Sequence, residues 1–240
     1  HPLTYALITS IVPAGEIGGD DTIQTGSGRD IIVGGAGADT INSFVSASLG
    51  TTPGTAAQDR NNIVFGDYGL VDYLSEELAQ GSTANPTLQT YVRNHLAVNA
   101  AANPVSAQDI DRIWSLESAT ALGGNDTITT GDANDIVLGG AGGDTLLLGN
   151  GSNIVIGDSA LLTSDERDHK STDPAFVFAV HEFLLCKIDT IGFADADGGA
   201  DTIVAGSGND VLFGGAGDDT IYAGAGDDLV LGDNGYVDFV

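Results

Sequence analysis

Three nine-residue stretches decide the fold: GGAGADTIN at 34–42, GGAGGDTLL at 139–147 and GGAGDDTIY at 214–222. Each carries glycine at its first, second and fourth positions, aspartate at its sixth and a large apolar residue at its eighth. Glycine permits the positive φ angles of sharp turns, and the last three residues suit a short strand with its middle side chain pointing inward. Such a repeat predicts a solenoid of stacked units.

The repeat extends outward from these stretches as a register of acidic or amide residues at the sixth position. Every step within a run is nine residues except the step from Asp39 to Asn62, which spans 23 residues and contains an insertion. Each run holds four repeats. The runs are Asp21, Asp30, Asp39 and Asn62; Asp126, Asp135, Asp144 and Asn153; and Asp201, Asp210, Asp219 and Asp228.

This pattern closely resembles the RTX (hemolysin-type) calcium-binding nonapeptide repeat, G-G-x-G-x-D-x-U-x. The resemblance implies an all-β, right-handed parallel β-roll or β-helix solenoid. We expect three four-nonad blocks, forming three short rolls in series, with partly helical inserts. The expected organisation is a first block at 1–69 with a returning strand and a loop insert at 43–60, an insert at 70–109, a second block at 110–160, an insert at 161–186, and a third block with an outgoing strand at 187–240.

The resemblance also implies calcium sites. Two nonads form one coil in the family, so ligands two nonads apart are expected to share an ion. On one edge this pairs Asp21 with Asp39, Asp126 with Asp144 and Asp201 with Asp219; on the other it pairs Asp30 with Asn62, Asp135 with Asn153 and Asp210 with Asp228. Calcium takes six to eight oxygen ligands, and we expect about six Ca²⁺ ions, with further sites at the block ends. The other candidate ligands are Asp67, Asp158 and Asp233, and the backbones of Gly28, Gly37, Gly142, Gly208, Gly217 and Gly226.

Three departures from the repeat fall on the second edge. Asn62 and Asn153 replace the acid with a neutral amide, and Ala133 stands where a glycine is expected. The second edge of the first two blocks is therefore expected to bind calcium less tightly than that of the third. The alternative is that these are Asx and glycine turns without metal.

The strand triplets predict two sheets of different character. First and third nonads read Asp-Thr-apolar, while second and fourth nonads are apolar throughout. One sheet should therefore face water and the other should be covered on both sides. We expect helical inserts at 85–96 and 173–185 to cover this outward apolar stripe, with a lateral partner as the alternative. The stripe comprises Ile31, Val33, Ile63, Phe65, Ile136, Leu138, Ile154, Ile156, Val211, Phe213, Leu229 and Leu231.

Extended segments flank the blocks. Outgoing segments follow the Gly-Asp motifs at 66–69 and 232–235, and returning segments precede the blocks at 5–11, 110–116 and 187–193. The terminal segments are complementary halves of one such unit, so they fit either a segment of a longer array or a protomer that pairs head to tail with another copy. A contact of that kind that does not close builds a filament.

Composition limits the partners. Asp and Glu total 34 against 7 Lys and Arg, for a net charge of −27, while 42% of residues are hydrophobic. A folded chain with this much negative charge needs bound cations to neutralise it. The chain also lacks the basic patch that binding to nucleic acid requires. No apolar run is long enough to span a membrane. The single cysteine, Cys186, excludes a disulfide within the chain.

The sequence favours a structural role over catalysis. His181-Glu182 opens a zinc-protease-like pattern, but Leu185 stands where the second histidine is needed, and no G-x-S-x-G motif occurs. We expect no enzyme, but a secreted, extracellular structural or adhesive rod that folds on calcium binding, at a cell surface or in a matrix. The alternatives are the non-catalytic calcium module of a secreted RTX enzyme or toxin, an adhesin domain that binds ligands through its inserts, and an ice-binding surface formed by the threonine row.

Overall fold

The computed structural model describes residues 7–11, 18–26, 28–44, 60–73, 110, 112–116, 123–164, 185–190 and 198–239. Strands and turns make up these residues, and no helix occurs among them. The all-β prediction is confirmed. The expected helical inserts lie outside the described residues, except that Leu185, placed at the end of the second one, begins a strand instead.

Two parallel sheets form the roll. We number the strands along the chain. The outer parallel sheet contains β2 (Thr22–Gln24), β4 (Thr40–Asn42), β8 (Thr127–Thr129), β10 (Thr145–Leu147), β14 (Thr202–Val204) and β16 (Thr220–Tyr222). The inner parallel sheet contains β3 (Ile31–Val33), β5 (Ile63–Phe65), β9 (Ile136–Leu138), β11 (Ile154–Ile156), β15 (Val211–Gly215) and β17 (Leu229–Asp233).

Both parallel sheets run through all three blocks without a break. In the outer sheet β4 pairs with β8, and β10 pairs with β14. In the inner sheet β5 pairs with β9, and β11 pairs with β15. The expectation of three short rolls in series is therefore wrong, because the last strands of each block pair directly with the first strands of the next. The blocks together build one roll.

A third sheet is antiparallel and comes from the segments that flank the blocks. This covering sheet has the order β1-β6-β7-β12-β13-β18. It alternates returning strands with outgoing strands, as the sequence predicts. Its members are β1 (Leu7–Thr9), β6 (Gly69–Asp72), β7 (Arg112–Ser115), β12 (Leu161–Ser164), β13 (Leu185–Asp189) and β18 (Tyr236–Asp238).

Two apolar layers separate the three sheets. The middle residues of the strand triplets, such as Val64, Val137 and Leu146, are buried together between the outer and inner sheets. The stripe residues of the inner sheet pack against covering-sheet residues such as Ile113 and Leu162. This arrangement confirms that the inner sheet is covered on both faces.

The segments that cover the apolar stripe differ from the helical inserts expected from the sequence. Over the described residues, strands that flank the inserts cover the stripe, and no helix does so. Phe65 and Phe213 are 1% and 0% exposed, so the middle of the stripe offers no surface to a lateral partner. A short strand on each side of an insert suffices, because each adds an alternating apolar face to the growing antiparallel sheet.

The outer sheet faces water with one column of threonines. Thr22, Thr40, Thr127, Thr145, Thr202 and Thr220 lie in register along six neighbouring strands. The second outward column is mixed, since it runs Gln24, Asn42, Thr129, Leu147, Val204 and Tyr222. A single threonine column beside such a mixture gives no regular two-column array, which disfavours the ice-binding alternative.

Candidate metal centre

The acidic residues of the first edge form a continuous ladder along the roll. The backbone N–H of each member donates to the carboxylate Oδ1 of the next member, at distances from 2.7 to 2.9 Å. The ladder runs Asp21, Asp39, Asp126, Asp144, Asp201 and Asp219. Within each block it brings together the residue pairs that the sequence predicts. The links from Asp39 to Asp126 and from Asp144 to Asp201 are additional.

The second edge carries the same kind of ladder with two amides in it. It runs Asp30, Asn62, Asp135, Asn153, Asp210 and Asp228, at distances from 2.7 to 3.0 Å. The amide groups also act as donors, since the Nδ2 atoms of Asn62 and Asn153 each donate to the Oδ1 of the next aspartate at 3.1 Å. These hydrogen bonds offset part of the like charge on the second edge, although the Oδ2 atoms of Asp30 and Asp210 there are also buried without a hydrogen bond.

On the first edge, five of the six ladder carboxylates have one buried oxygen that lacks a hydrogen bond. The Oδ2 atoms of Asp39, Asp126, Asp144, Asp201 and Asp219 are buried and accept no hydrogen bond from any described residue. A buried carboxylate oxygen without a hydrogen-bond partner destabilises the fold, because it has lost its hydrogen bonds to water and no protein group replaces them. The oxygens therefore need either a proton or a cation.

A glycine lies against each of these oxygens. A Cβ added at Gly66 would collide with both Oδ2 of Asp126 and the carbonyl oxygen of Gly139. The same collision, with one ladder carboxylate and one glycine carbonyl, occurs at Gly34, Gly139, Gly157 and Gly214. We call these five positions the first-edge cradles. Each combines a carboxylate oxygen with a carbonyl oxygen, the hard donors that calcium prefers.

The electrostatics of the ladder favour a bound cation. Burial, together with the like charges of Asp126 and Asp201 and against an opposing backbone hydrogen bond, raises the pKa of Asp144 to about 10. Burial likewise raises the pKa of Asp126 to about 7 and that of Asp201 to about 8. The pKa of Asp39 is also raised, mainly by burial. These carboxylates resist ionisation in the fold unless a positive charge lies beside them.

On the second edge, side chains fill the equivalent positions. Where the first edge has a cradle glycine, the second edge has Ser43, Thr130, Leu148 and Ala205, all buried. Leu148 and Ala205 belong to the core between the parallel sheets, and Asn62 Nδ2 donates to Ser43 Oγ at 3.3 Å. The sequence-based expectation of a weaker second edge in the first two blocks rested on the two amides and on Ala133, whereas these buried side chains are a further obstacle to a bound ion. This signal was present in the sequence as a missing first glycine.

The Gly-Asp motifs that end the first two blocks place their aspartates beside the first-edge ladder, since the charge of Asp67 raises the pKa of Asp144 and the charge of Asp158 raises the pKa of Asp201. Asp67 accepts hydrogen bonds from the backbone N–H groups of Gly124 at 3.2 Å and Ala141 at 2.7 Å. Asp158 accepts from the equivalent N–H groups of Gly199 and Ala216. Each therefore joins an outgoing segment to two stacked turns of the next block, one before its first strand and one before its third. Asp233, the third member of this set, is exposed.

The glycines predicted to present carbonyls lie in the turns. Gly37, Gly142, Gly208, Gly217 and Gly226 have positive φ angles, whereas Gly28 is absent from this group. Gly142 also requires its small size, because a Cβ there would collide with the carbonyl of Gly124 in the coil below.

An ion on the first edge would depend mainly on backbone oxygens. In the described ranges, no group of three or more His, Cys, Asp or Glu side chains has the arrangement of a metal centre. The five ladder carboxylates, with the carbonyls of Gly66, Gly139, Gly157, Gly214 and Gly232, are the residues that would hold calcium. A bound ion would neutralise the carboxylates and hold neighbouring coils together.

Comparison with known proteins agrees with this geometry. The RTX calcium-binding nonapeptide repeat family matches residues 17–43, 120–155 and 195–235, with 4 copies of its unit. No curated protein and no solved structure matched the chain. Among the described residues, no helix has the length and apolar character needed to cross a membrane. The matched ranges contain the five first-edge carboxylates that have a buried oxygen without a hydrogen bond, and over these ranges the chain carries RTX calcium-binding nonapeptide repeats.

Proposed function

We propose that the chain is a calcium-dependent extracellular structural rod, a right-handed roll of three four-nonad blocks that folds when calcium fills its first edge. The observation that carries the proposal is the row of five cradles, each with a buried carboxylate oxygen that accepts no hydrogen bond from a described residue. Metal binding of this kind contributes directly to the free energy of folding. The low-calcium state is then unfolded and suited to export.

The proposal assigns about five ions to the first edge and treats the second edge as weaker. The amide hydrogen bonds of Asn62 and Asn153 already offset part of the charge there. A rod role is supported by the uninterrupted pairing of both parallel sheets, which makes the ladder one continuous column. An adhesive role and assembly into filaments at a cell surface or in a matrix belong to the same proposal.

The alternative is the non-catalytic calcium module of a secreted RTX enzyme or toxin. Both readings assign calcium-driven folding to this chain, and they differ in whether a catalytic domain is attached. Sequencing of the full gene discriminates them, because a catalytic domain in the same open reading frame favours the module.

Small-angle X-ray scattering tests the rod itself. In calcium we expect a compact particle with the dimensions of one roll, and in EGTA an expanded chain with the larger radius of gyration of an unfolded protein. Magnesium serves as the control cation, since it demands octahedral geometry and gives up its waters reluctantly. A compact particle in EGTA would contradict the proposal that calcium drives folding of the rod.

A further inference from the structure

Among the described strands, those at the two ends of the roll have an edge without a neighbouring strand. The edge strands at one end are β1, β2 and β3, and those at the other end are β16, β17 and β18. Free edges present unpaired N–H and C=O groups that can accept a further strand. The second end also exposes apolar side chains, with Tyr222 60%, Val230 44% and Tyr236 67% exposed. An end of this kind is suited to contact with another protein surface.

The two interior junctions show how one block docks on the next. At each, an aspartate of the outgoing segment enters two stacked turns of the following block: Asp67 at the first junction and Asp158 at the second. These aspartates are 2% and 6% exposed. Asp233 follows Gly232 as Asp67 follows Gly66, yet it is exposed and nothing in the described chain contacts its carboxylate through a hydrogen bond.

At the first end of the roll, the turns equivalent to those that receive Asp67 and Asp158 have the same shape, but no carboxylate lies against them. A Cβ at Gly123 or Gly198 would collide with the alanine above and with Asp67 or Asp158, respectively. The three atoms nearest to a Cβ at the equivalent Gly18 all belong to Ala36, and none belongs to a carboxylate. Likewise, Gly140 and Gly215 lie against those carboxylates, whereas nothing lies within 4 Å of a Cβ at Gly35. The donor and acceptor halves of one junction are therefore at opposite ends of the same chain.

The two halves of one further first-edge cradle likewise lie at opposite ends of the roll. Gly66 and Gly157 lie against the carboxylates of Asp126 and Asp201, but nothing lies within 4 Å of a Cβ at the equivalent Gly232. Asp21, the first member of the ladder, is exposed. A cradle formed by Gly232 is incomplete without an aspartate in the position of Asp21.

We propose that a second copy of the chain docks head to tail on the end formed by β16, β17 and β18. Asp233 of the first copy enters the stacked turns of Gly18, Gly35 and Ala36 of the second copy, and Asp21 of the second copy completes a sixth first-edge cradle at Gly232. Strand β18 pairs antiparallel with β1 of the second copy, as β6 pairs with β7. This inference rests on the proposed calcium function and adds a calcium-dependent partner to it.

Sedimentation velocity of the purified chain tests the junction. In calcium we expect oligomers that grow with concentration, and in EGTA an unfolded monomer. Asp233→Asn removes one of the two acceptor oxygens that the junction uses, and we expect it to lower the association constant at least tenfold while leaving the folded monomer unchanged. Asp132→Asn is the matched control, since it removes one charge from an exposed turn remote from both ends and keeps an acceptor for Asn150.

A cysteine pair locates the contact. In a Cys186→Ser background, Thr9→Cys chains are mixed with Tyr236→Cys chains, because these positions correspond to the opposed residues Trp114 and Leu70 of the interior junction. Directly opposed antiparallel residues have Cα atoms about 4.5–5.5 Å apart, within disulfide reach. We expect a mixed disulfide dimer in calcium and none with the control pair Thr9→Cys and Thr129→Cys.

The outcomes separate the two proposals. Calcium-dependent folding with a monomer at every concentration, or equal crosslinking of both cysteine pairs, overturns the junction and leaves the calcium function standing. Oligomers that Asp233→Asn does not weaken also overturn it. Failure of the wild-type chain to fold on calcium, seen by circular dichroism, overturns the function on which the junction rests.

Discussion

The backbone N–H of Asp39 donates a 2.7 Å hydrogen bond to Oδ1 of Asp126, a residue 87 positions further along the chain. This bond joins the first block to the second in the same way that Asp126 joins Asp144 within the second block. The hydrogen-bond ladder therefore continues across the inserts, because the coil that follows an insert stacks directly on the coil that precedes it. One column of carboxylates results, and its charge is the central energetic problem of the fold.

Substitution of a cradle glycine should weaken calcium-driven folding. Gly66→Ala places a methyl group where Oδ2 of Asp126 and the carbonyl of Gly139 converge. We expect it to cost about 1–3 kcal/mol of stability in calcium and to raise the calcium concentration at the folding midpoint. Urea unfolding and calcium titration followed by circular dichroism measure the two effects.

Gly232→Ala is the control for that substitution. It makes the same change at the equivalent position, where nothing lies within 4 Å of the new Cβ. Measured at concentrations where the chain is monomeric, it should leave both values unchanged. Equal effects at Gly66 and Gly232 would show that glycine flexibility, rather than the cradle, determines the result.

Removal of one ladder charge should have opposite signs with and without calcium. Asp144→Asn keeps an oxygen that can accept from the N–H of Asp126 but loses the charge whose burial raises the pKa of Asp144. In EGTA the variant should be more stable than wild type, and in saturating calcium less stable, each by about 1–3 kcal/mol. Urea unfolding in calcium and osmolyte-induced folding in EGTA, both followed by circular dichroism, measure this crossover. A loss of stability in both conditions would mean that the carboxylate serves a purely structural hydrogen bond.

The residual stability of the metal-free chain should fall as pH rises. Burial raises the folded-state pKa of Asp126 to about 7 and that of Asp201 to about 8, whereas an unfolded aspartate titrates near about 4. Between these values the unfolded chain ionises first, so each step upward in pH favours unfolding. In EGTA, stability should therefore be lost from about pH 4 upward, as followed by osmolyte-induced folding at several pH values.

Calcium competes with the same protons, and this gives a second pH readout. Because calcium binds the ionised carboxylate and aspartates of the unfolded, calcium-free chain titrate near about 4, the calcium midpoint should move to lower concentration as pH rises from about 3 to about 6. Asp144→Asn should flatten this dependence. A midpoint independent of pH would place the ions away from the raised-pKa carboxylates.

The ion pair of the covering sheet should matter with or without calcium. Arg112 Nη2 lies 2.8 Å from Oδ2 of Asp72, whose side chain is 0% exposed. Arg112→Ala leaves that carboxylate buried without its cation, and we expect a loss of about 3 kcal/mol in calcium. Lys187→Ala is the control, because the side chains of the Lys187–Asp189 pair are 38% and 18% exposed and the pair should contribute far less. Equal losses would assign the effect to strand propensity instead.

The sequence predicted most of what local spacing controls. The nine-residue register placed the ladder residues within each block, and the apolar triplets identified the inner sheet with its buried Val64 and Val137. The flanking segments were also identified as strands. All of these depend on a period that a single coil repeats, so they can be read without knowledge of distant contacts.

Long-range consequences were harder to predict. The hydrogen bond from Asp39 to Asp126 joins residues on either side of a long insert. Because the insert interrupts the nine-residue register, the sequence suggested separate rolls. Asp67 and Asp158 matched the acidic pattern of calcium ligands, yet in the fold they accept backbone hydrogen bonds across the junctions. Their role depends on the N–H groups of the following block, which only the stacked coils bring into reach.

The most direct test of the account is a calcium titration of the wild-type chain, followed by far-UV circular dichroism with bound ions counted by equilibrium dialysis on the same samples. We predict a cooperative transition from an unfolded chain to β-structure that is complete when about five ions are bound per chain. Full β-structure in EGTA, or a complete transition with one or two bound ions, would contradict the claim that the first-edge cradles hold the roll together.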